Sequence, residues 1–108
     1  MLYRGITQAY KPSDALSWWS PTIEHAVRYC SGQDGAQLLA ANEEGLQIVD
    51  CPEEIGDSWL ADEEGAQFAI SLLREMNVDG FRREDEAGMA ICLLPEAIRE
   101  RITIYEQF

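Results

Sequence analysis

The sequence predicts one α+β domain dominated by antiparallel strands, and three observations predict it. The chain has 108 residues, the length of a domain that buries a single core. Its composition, 46% hydrophobic and 26% charged, is that of a globular protein rather than a disordered or fibrous one. Short strand-like runs alternate with two helical stripes over connections short enough to suit antiparallel pairing.

Leu2-Tyr3-Arg4-Gly5-Ile6 reads as a first strand, closed by the polar and proline residues through Pro12-Ser13-Asp14. A helix is expected after Trp18-Trp19, where Ser20 can cap backbone N–H groups and Pro21 suits the first helical position. Ile23, Ala26, Val27 and Cys30 then recur at helical spacing and make one apolar stripe, which Gly32 and Gly35 end. Residues 37–41 and 46–50 are β-prone and flank Asn42-Glu43-Glu44-Gly45, a turn composition that suggests a hairpin.

Asp62 can cap a second helix with Ala66, Ala69, Ile70 and Leu73 on one stripe, widened by Phe68, Leu72 and Met76. Asn77-Val78-Asp79-Gly80 ends it with turn chemistry. Phe81 to Glu84 and Met89 to Leu94 read as strands joined through Asp85-Glu86-Ala87-Gly88, and Ile102 and Ile104 alternate with polar residues in a last strand after Pro95. The expected order is strand, helix, hairpin, helix, hairpin, strand.

Twenty acidic residues stand against 8 basic ones, a formal net charge of -12. Phosphate contacts need a basic face, so nucleic acid is not expected as a direct partner, whereas a basic protein partner is compatible with this charge. Acidic pairs such as Glu43-Glu44 and Glu63-Glu64 suit solvated turns and helix starts. Cys30, Cys51 and Cys92 lack any metal-ligand spacing and read as reduced thiols; no metal is expected. His25, the only histidine, reads as a polar helix position. No apolar run approaches the ~20 residues that span a bilayer, and Met1 to Gly5 lacks the apolar core of a signal peptide. The expectation is a cytoplasmic protein with no membrane partner.

Three places in this order resemble the small bacterial and phage ADP-ribosyltransferase-like proteins. Leu2-Tyr3-Arg4-Gly5 resembles the family's first strand, which ends in Arg or His followed by Gly and contacts NAD. Trp19-Ser20-Pro21, leading into Glu24 to Tyr29, resembles its Ser-bearing strand and following helix, although the usual Ser-Thr-Ser is here Ser20-Pro21-Thr22. Val78 to Phe81, Glu84 to Gly88, Leu93-Leu94-Pro95 and Ile102 resemble the last hairpin, where the catalytic acid lies; this part is most similar to phage anti-CRISPR ADP-ribosyltransferases.

The resemblance implies a split, antiparallel-rich sheet with two main helices, NAD as cofactor, and a protein target, including a basic host defence complex met by a phage effector. It places the catalytic acid on Asp85, with Glu84 and Glu86 as the other candidates, and NAD contacts on Tyr3, Arg4, Gly5, Trp19 and Ser20.

The residue chemistry suits these roles. Cleaving the nicotinamide–ribose bond develops positive charge on the sugar, which a carboxylate stabilises. A guanidinium grips a diphosphate with paired hydrogen bonds, the task expected of Arg4. Tyr3, Trp18 or Trp19 offers a flat face to nicotinamide or adenine. Three functions follow: mono-ADP-ribosylation of a protein, an inactive acidic module that blocks a basic nucleic-acid-binding protein, or an NAD glycohydrolase toxin. In the plainest reading Arg4 is a surface residue, Ser20 a helix cap, and Arg82 and Arg83 charge partners of a solvated acidic turn.

Overall fold

Each strand has one face on an apolar cluster, and the stacking of these clusters organises the chain. The computed structural model describes residues 1–30, 32–56, 62–86 and 88–108. Among them the strands are β1 (Leu2–Ile6), β2 (Ser17–Trp19), β3 (Gln37–Ala41), β4 (Ile48–Asp50), β5 (Gly80–Asp85), β6 (Gly88–Leu93) and β7 (Ile102–Gln107). The helices are α1 (Ile23–Val27), α2 (Glu63–Glu75) and α3 (Pro95–Ile98). The architecture is α+β. One sheet has the order β1-β3-β7 and is wholly antiparallel. The other has the order β2-β6-β5-β4, antiparallel except for the parallel pair β4–β5.

Three clusters stack the layers. Ala26 and Cys30, from α1 and the turn after it, pack on Leu38 of β3. Leu2, Leu39 and Ala41 of the first sheet meet Trp19, Ile91 and Leu93 of the second. On the outer face of that second sheet, Phe81 and Cys92 pack against Ala69, Ile70 and Leu73 of α2. The layers therefore run helix, sheet, sheet, helix, and β3, between two strands and between two layers, is buried at all five positions.

That burial overturns the expected hairpin of residues 37–41 with 46–50. The turn forms, with Gly45 at φ 84° and Leu46 N–H donating to the Glu43 carbonyl at 3.0 Å. Both edges of β3 are already occupied by β1 and β7, however, so the chain crosses to the second sheet. There Gln47 N–H donates to Asp79 Oδ2 at 2.7 Å, Asp79 N–H donates to the Gln47 carbonyl at 2.8 Å, and β4 pairs with β5 in parallel.

α1 begins at Ile23 with Thr22 at its N-cap, rather than at Pro21 behind Ser20, because the Ser20 backbone is engaged with β1. The helix ends at Val27 instead of running on towards Gly32, so of the expected stripe Ala26 is buried within α1 and Cys30 is buried in the turn after it, with Ile23 and Val27 packed beside them. In α2 the Asp62 carboxylate accepts from the Gly65 N–H as a cap, and Asn77 at φ 60° closes the C-terminus while Val78 N–H reaches the Leu73 carbonyl. Leu72 joins the core, but Phe68 and Met76 are 50% and 42% exposed and do not widen the buried stripe. β2, a strand the periodicity did not suggest, runs through Trp18-Trp19. No described helix is long and apolar enough to cross a membrane.

Phe81 and Phe68 test this packing against each other. Phe81→Ala removes a fully buried ring and is expected to cost about 3–5 kcal/mol of unfolding free energy in urea titrations. Phe68→Ala, on the half-exposed side of α2, should change it by less than about 0.5 kcal/mol.

Candidate functional site

The two sheets touch through a pair of reciprocal backbone bonds. Tyr3 N–H donates to the Ser20 carbonyl and Ser20 N–H to the Tyr3 carbonyl, each at 2.8 Å. On either side of this bridge β1 and β2 belong to different sheets, and a cleft of about 410 Å³ opens there. Tyr3 and Gly5 of β1, with His25 and Ala26 of α1 and Tyr29 just beyond it, supply one part of the lining. Trp18, Arg83 and Ala90 of the second sheet supply another, and Arg4, Trp19 and Ser20 complete it.

Gly5 lets α1 lie this close. A Cβ there would run into the Ala26 carbonyl oxygen and crowd Tyr29 Cβ and Cys30 Sγ, at 3.1 and 3.2 Å. Ser20 lines the cleft while its Oγ accepts from Thr22 N–H at 3.1 Å and lies 3.2 Å from Thr22 Oγ1, which fixes the turn into α1. Adjacent tryptophans point to opposite faces of a strand. Trp19 is core, 3% exposed, and its indole N–H donates to Ser17 Oγ at 2.8 Å. Trp18 packs edge-on against Phe81 at 5.7 Å, with the Arg83 guanidinium 5.3 Å from its ring centre. Of the three flat faces suggested by the sequence, Tyr3 and Trp18 are therefore the half-exposed ones.

Arg4 is half-buried and Nη1 donates to the Trp18 carbonyl at 3.0 Å. Burial pulls its guanidinium below the ordinary value, opposed by the nearby Cys92. Among the described residues no carboxylate lies within ion-pair distance of it, whereas Arg74, Arg82 and Arg99 each hold one. The plain reading of Arg4 as a surface residue therefore does not describe its surroundings. The described lining holds two guanidiniums and no carboxylate, in a chain of net charge -12. Low-dielectric walls lined by one sign of charge focus the field on a ligand of the other sign. Aromatic faces beside guanidiniums suit a ligand that carries both a flat ring and an anionic group. A shallower depression of about 370 Å³ shares Arg4, Gly5 and Tyr29 with the cleft and extends it along residues 6–9.

The five residues expected to contact NAD thus line one cleft. The acids are placed differently: Glu84 and Glu86 line a separate depression with Glu53, and Arg83 borders both spaces. The backbone of Asp85 is opposite Gly88 at the end of β5, and its side chain lies outside the described residues. Arg83, His25 and Tyr29 join the cleft without having been assigned to it from sequence. Spacing held the signal: Arg83 is two residues from the buried Phe81 on one strand, and His25 and Tyr29 are four apart, with ring centres 5.9 Å from each other.

None of the three cysteines is in a disulfide, and no described cluster of three or more His, Cys, Asp or Glu could hold a metal ion. Comparison with known proteins finds no matching family model, and no curated protein or solved structure that matches this chain.

Beside Arg4, burial pushes the Cys92 thiol up to about 12 from an ordinary 9.0. The raised value favours the protonated native state, so this contribution is complete below pH 9.0 and is lost as the pH rises towards about 12. Urea titrations across that range should show stability falling with pH, and Cys92→Ala should flatten the fall; an unchanged slope in the variant refutes the assignment.

Proposed function

We propose that this chain is an ADP-ribosyltransferase-like domain that binds NAD in the cleft and transfers ADP-ribose to a side chain of a protein target. One observation carries the reading: Tyr3, Arg4, Gly5, Trp19 and Ser20 line a single cleft whose described lining is cationic and aromatic in an otherwise acidic chain. The residues fit the dinucleotide. Arg4, desolvated and without an acidic partner, matches a diphosphate, and Tyr3 and Trp18 match a nicotinamide or adenine ring. A cleft of about 410 Å³ lies in the range of small-molecule sites, and the adjoining depression adds room for the second nucleotide.

NAD supplies a ribose carbon whose bond to nicotinamide would break with the electron pair leaving on the ring, while a nucleophilic atom of the acceptor side chain forms its bond to that carbon and loses its proton. In this reading Asp85 stabilises the positive charge that develops on the sugar and takes the proton released by the acceptor. Glu84 and Glu86 line the other depression and are assigned no contact with the ribose. The acidic surface suits a basic target protein, and the resemblance to anti-CRISPR enzymes extends the proposal to a component of a host defence complex. A second reading, an acidic module that binds without turnover, is favoured by the placement of Glu84 and Glu86 outside the cleft lining.

Calorimetry and labelled NAD separate these readings. NAD is expected to bind, and Arg4→Gln to weaken it by about 10- to 100-fold through loss of charge-assisted hydrogen bonds. Asp85→Ala should bind NAD like the parent chain yet transfer no label. Label on a protein acceptor supports the transferase, release of free ADP-ribose alone makes the chain a glycohydrolase, and binding with no turnover supports the second reading. Absence of NAD binding overturns the transferase and the glycohydrolase and leaves only the acidic module, which blocks a basic protein without NAD.

A further inference from the structure

We infer that a second, smaller cavity sharing Arg4 and Trp19 with the cleft is a binding site for a small organic anion with an apolar body, a carboxylate on an aliphatic or aromatic frame. The cavity has a volume of about 190 Å³ and forms where residues 10–16 cross the end of the first sheet. That segment is strapped down at both ends. Tyr10 N–H donates to Oε1 of the buried Gln37 at 2.9 Å, and Arg99 Nη2 donates to Asp14 Oδ1 at 2.8 Å and to the Ser13 carbonyl at 3.3 Å. The cavity is thus part of the fastened fold rather than a gap beneath a loose loop.

Its lining is divided by polarity. Trp19, Leu39 and Ile98, all nearly fully buried, make an apolar floor. Arg4, Lys11 and Arg99 supply the cations, and no carboxylate lines the cavity among the described residues. Arg99 is already held by Asp14, so the available charge comes from the other two. Lys11 is the only lysine of the chain, and its side chain has neither an ion pair nor a hydrogen bond among the described residues. Arg74, Arg82 and Arg99 each hold a carboxylate, whereas Lys11 and Arg4 have none among the described residues and line the same cavity.

An apolar floor beneath cations selects the ligand class. A fully hydrated dianion gains nothing from Trp19 and Leu39, and a neutral hydrocarbon leaves the cations unanswered. A volume below the usual range of drug-sized sites limits the occupant to a few carbon atoms or a single ring. The inference rests on the lining of this cavity and not on the identity of the ligand in the cleft.

Two-dimensional NMR titration of the whole chain tests it, with the hydrogen-bonded Trp19 indole N–H as reporter. Benzoate should shift that resonance saturably, with benzyl alcohol and inorganic phosphate each weaker by about ten-fold or more, and Lys11→Gln should weaken benzoate by about ten-fold. Lys11 is exposed, and an unchanged circular dichroism spectrum establishes that the variant folds. Benzyl alcohol binding as well as benzoate, phosphate binding as well as benzoate, no saturable shift, or a folded Lys11→Gln that binds benzoate unchanged would each overturn the proposal. Loss of NAD binding in Arg4→Gln, or its absence from the parent chain, leaves these outcomes unaffected.

Discussion

The candidate site depends on the two 2.8 Å backbone bonds that join Tyr3 to Ser20. They join the main chain of β1 in one sheet to the residue after β2 in the other, and the cleft opens beside this bridge. Because both partners use main-chain atoms, the side chains of residues 3, 18, 19 and 20 are free to serve core or cleft. The same bridge explains the late start of α1. Ser20 is held in extended backbone, its hydroxyl ties down Thr22, and the helix can begin only at Ile23, which directs His25 and Tyr29 to the cleft. Gly5 then sets how near that helix comes, since any side chain there meets the Ala26 carbonyl.

Electrostatics distinguish this place from the rest of the surface. Three of the basic side chains are held in exposed ion pairs, Arg74 with Glu96, Arg82 with Asp50 and Arg99 with Asp14. Such exposed pairs contribute about 0–1 kcal/mol each. Arg4 is in the opposite situation, half-buried and answered by one carbonyl. The net charge of -12 repels an anion approaching from a distance, but screening at physiological salt confines that repulsion to about 8 Å. The described lining of the cleft contributes the guanidiniums of Arg4 and Arg83.

What could be read in the sequence was what is local. The Asp62 cap, the stripe through Ala69, Ile70 and Leu73, and the last hairpin depend on neighbours a few residues away, and all are found as expected. The partner of β3 could not be read, because its edges are taken by β1, 39 residues earlier at the pair Leu2↔Ala41, and by β7, 61 residues later at the pair Ala41↔Ile102. β2 is three residues long and carries adjacent tryptophans, too short for alternation to register. Phe68 and Met76 looked like core because periodicity marks a face without measuring how far the opposing sheet extends. The site residues followed the same division. Arg4 and Ser20 stood out through their immediate context, whereas Arg83 and Tyr29 reach the cleft only through sheet pairing and the position of α1.

The surroundings of Arg4 also bear on why an arginine is kept there. Arg4 is partly withdrawn from water, which disfavours its charge, and among the described residues one hydrogen bond, to the Trp18 carbonyl, answers its guanidinium donors. An aliphatic side chain would suit the neighbouring Leu2, Trp19 and Leu39 without the penalty, so stability alone does not account for the guanidinium. A ligand that brings negative charge to either space lined by Arg4 offsets that penalty, and only in the bound state. The residue is then a source of binding energy held in reserve by the fold, and because one guanidinium serves both spaces, an anion that captures it in one must alter the affinity of the other.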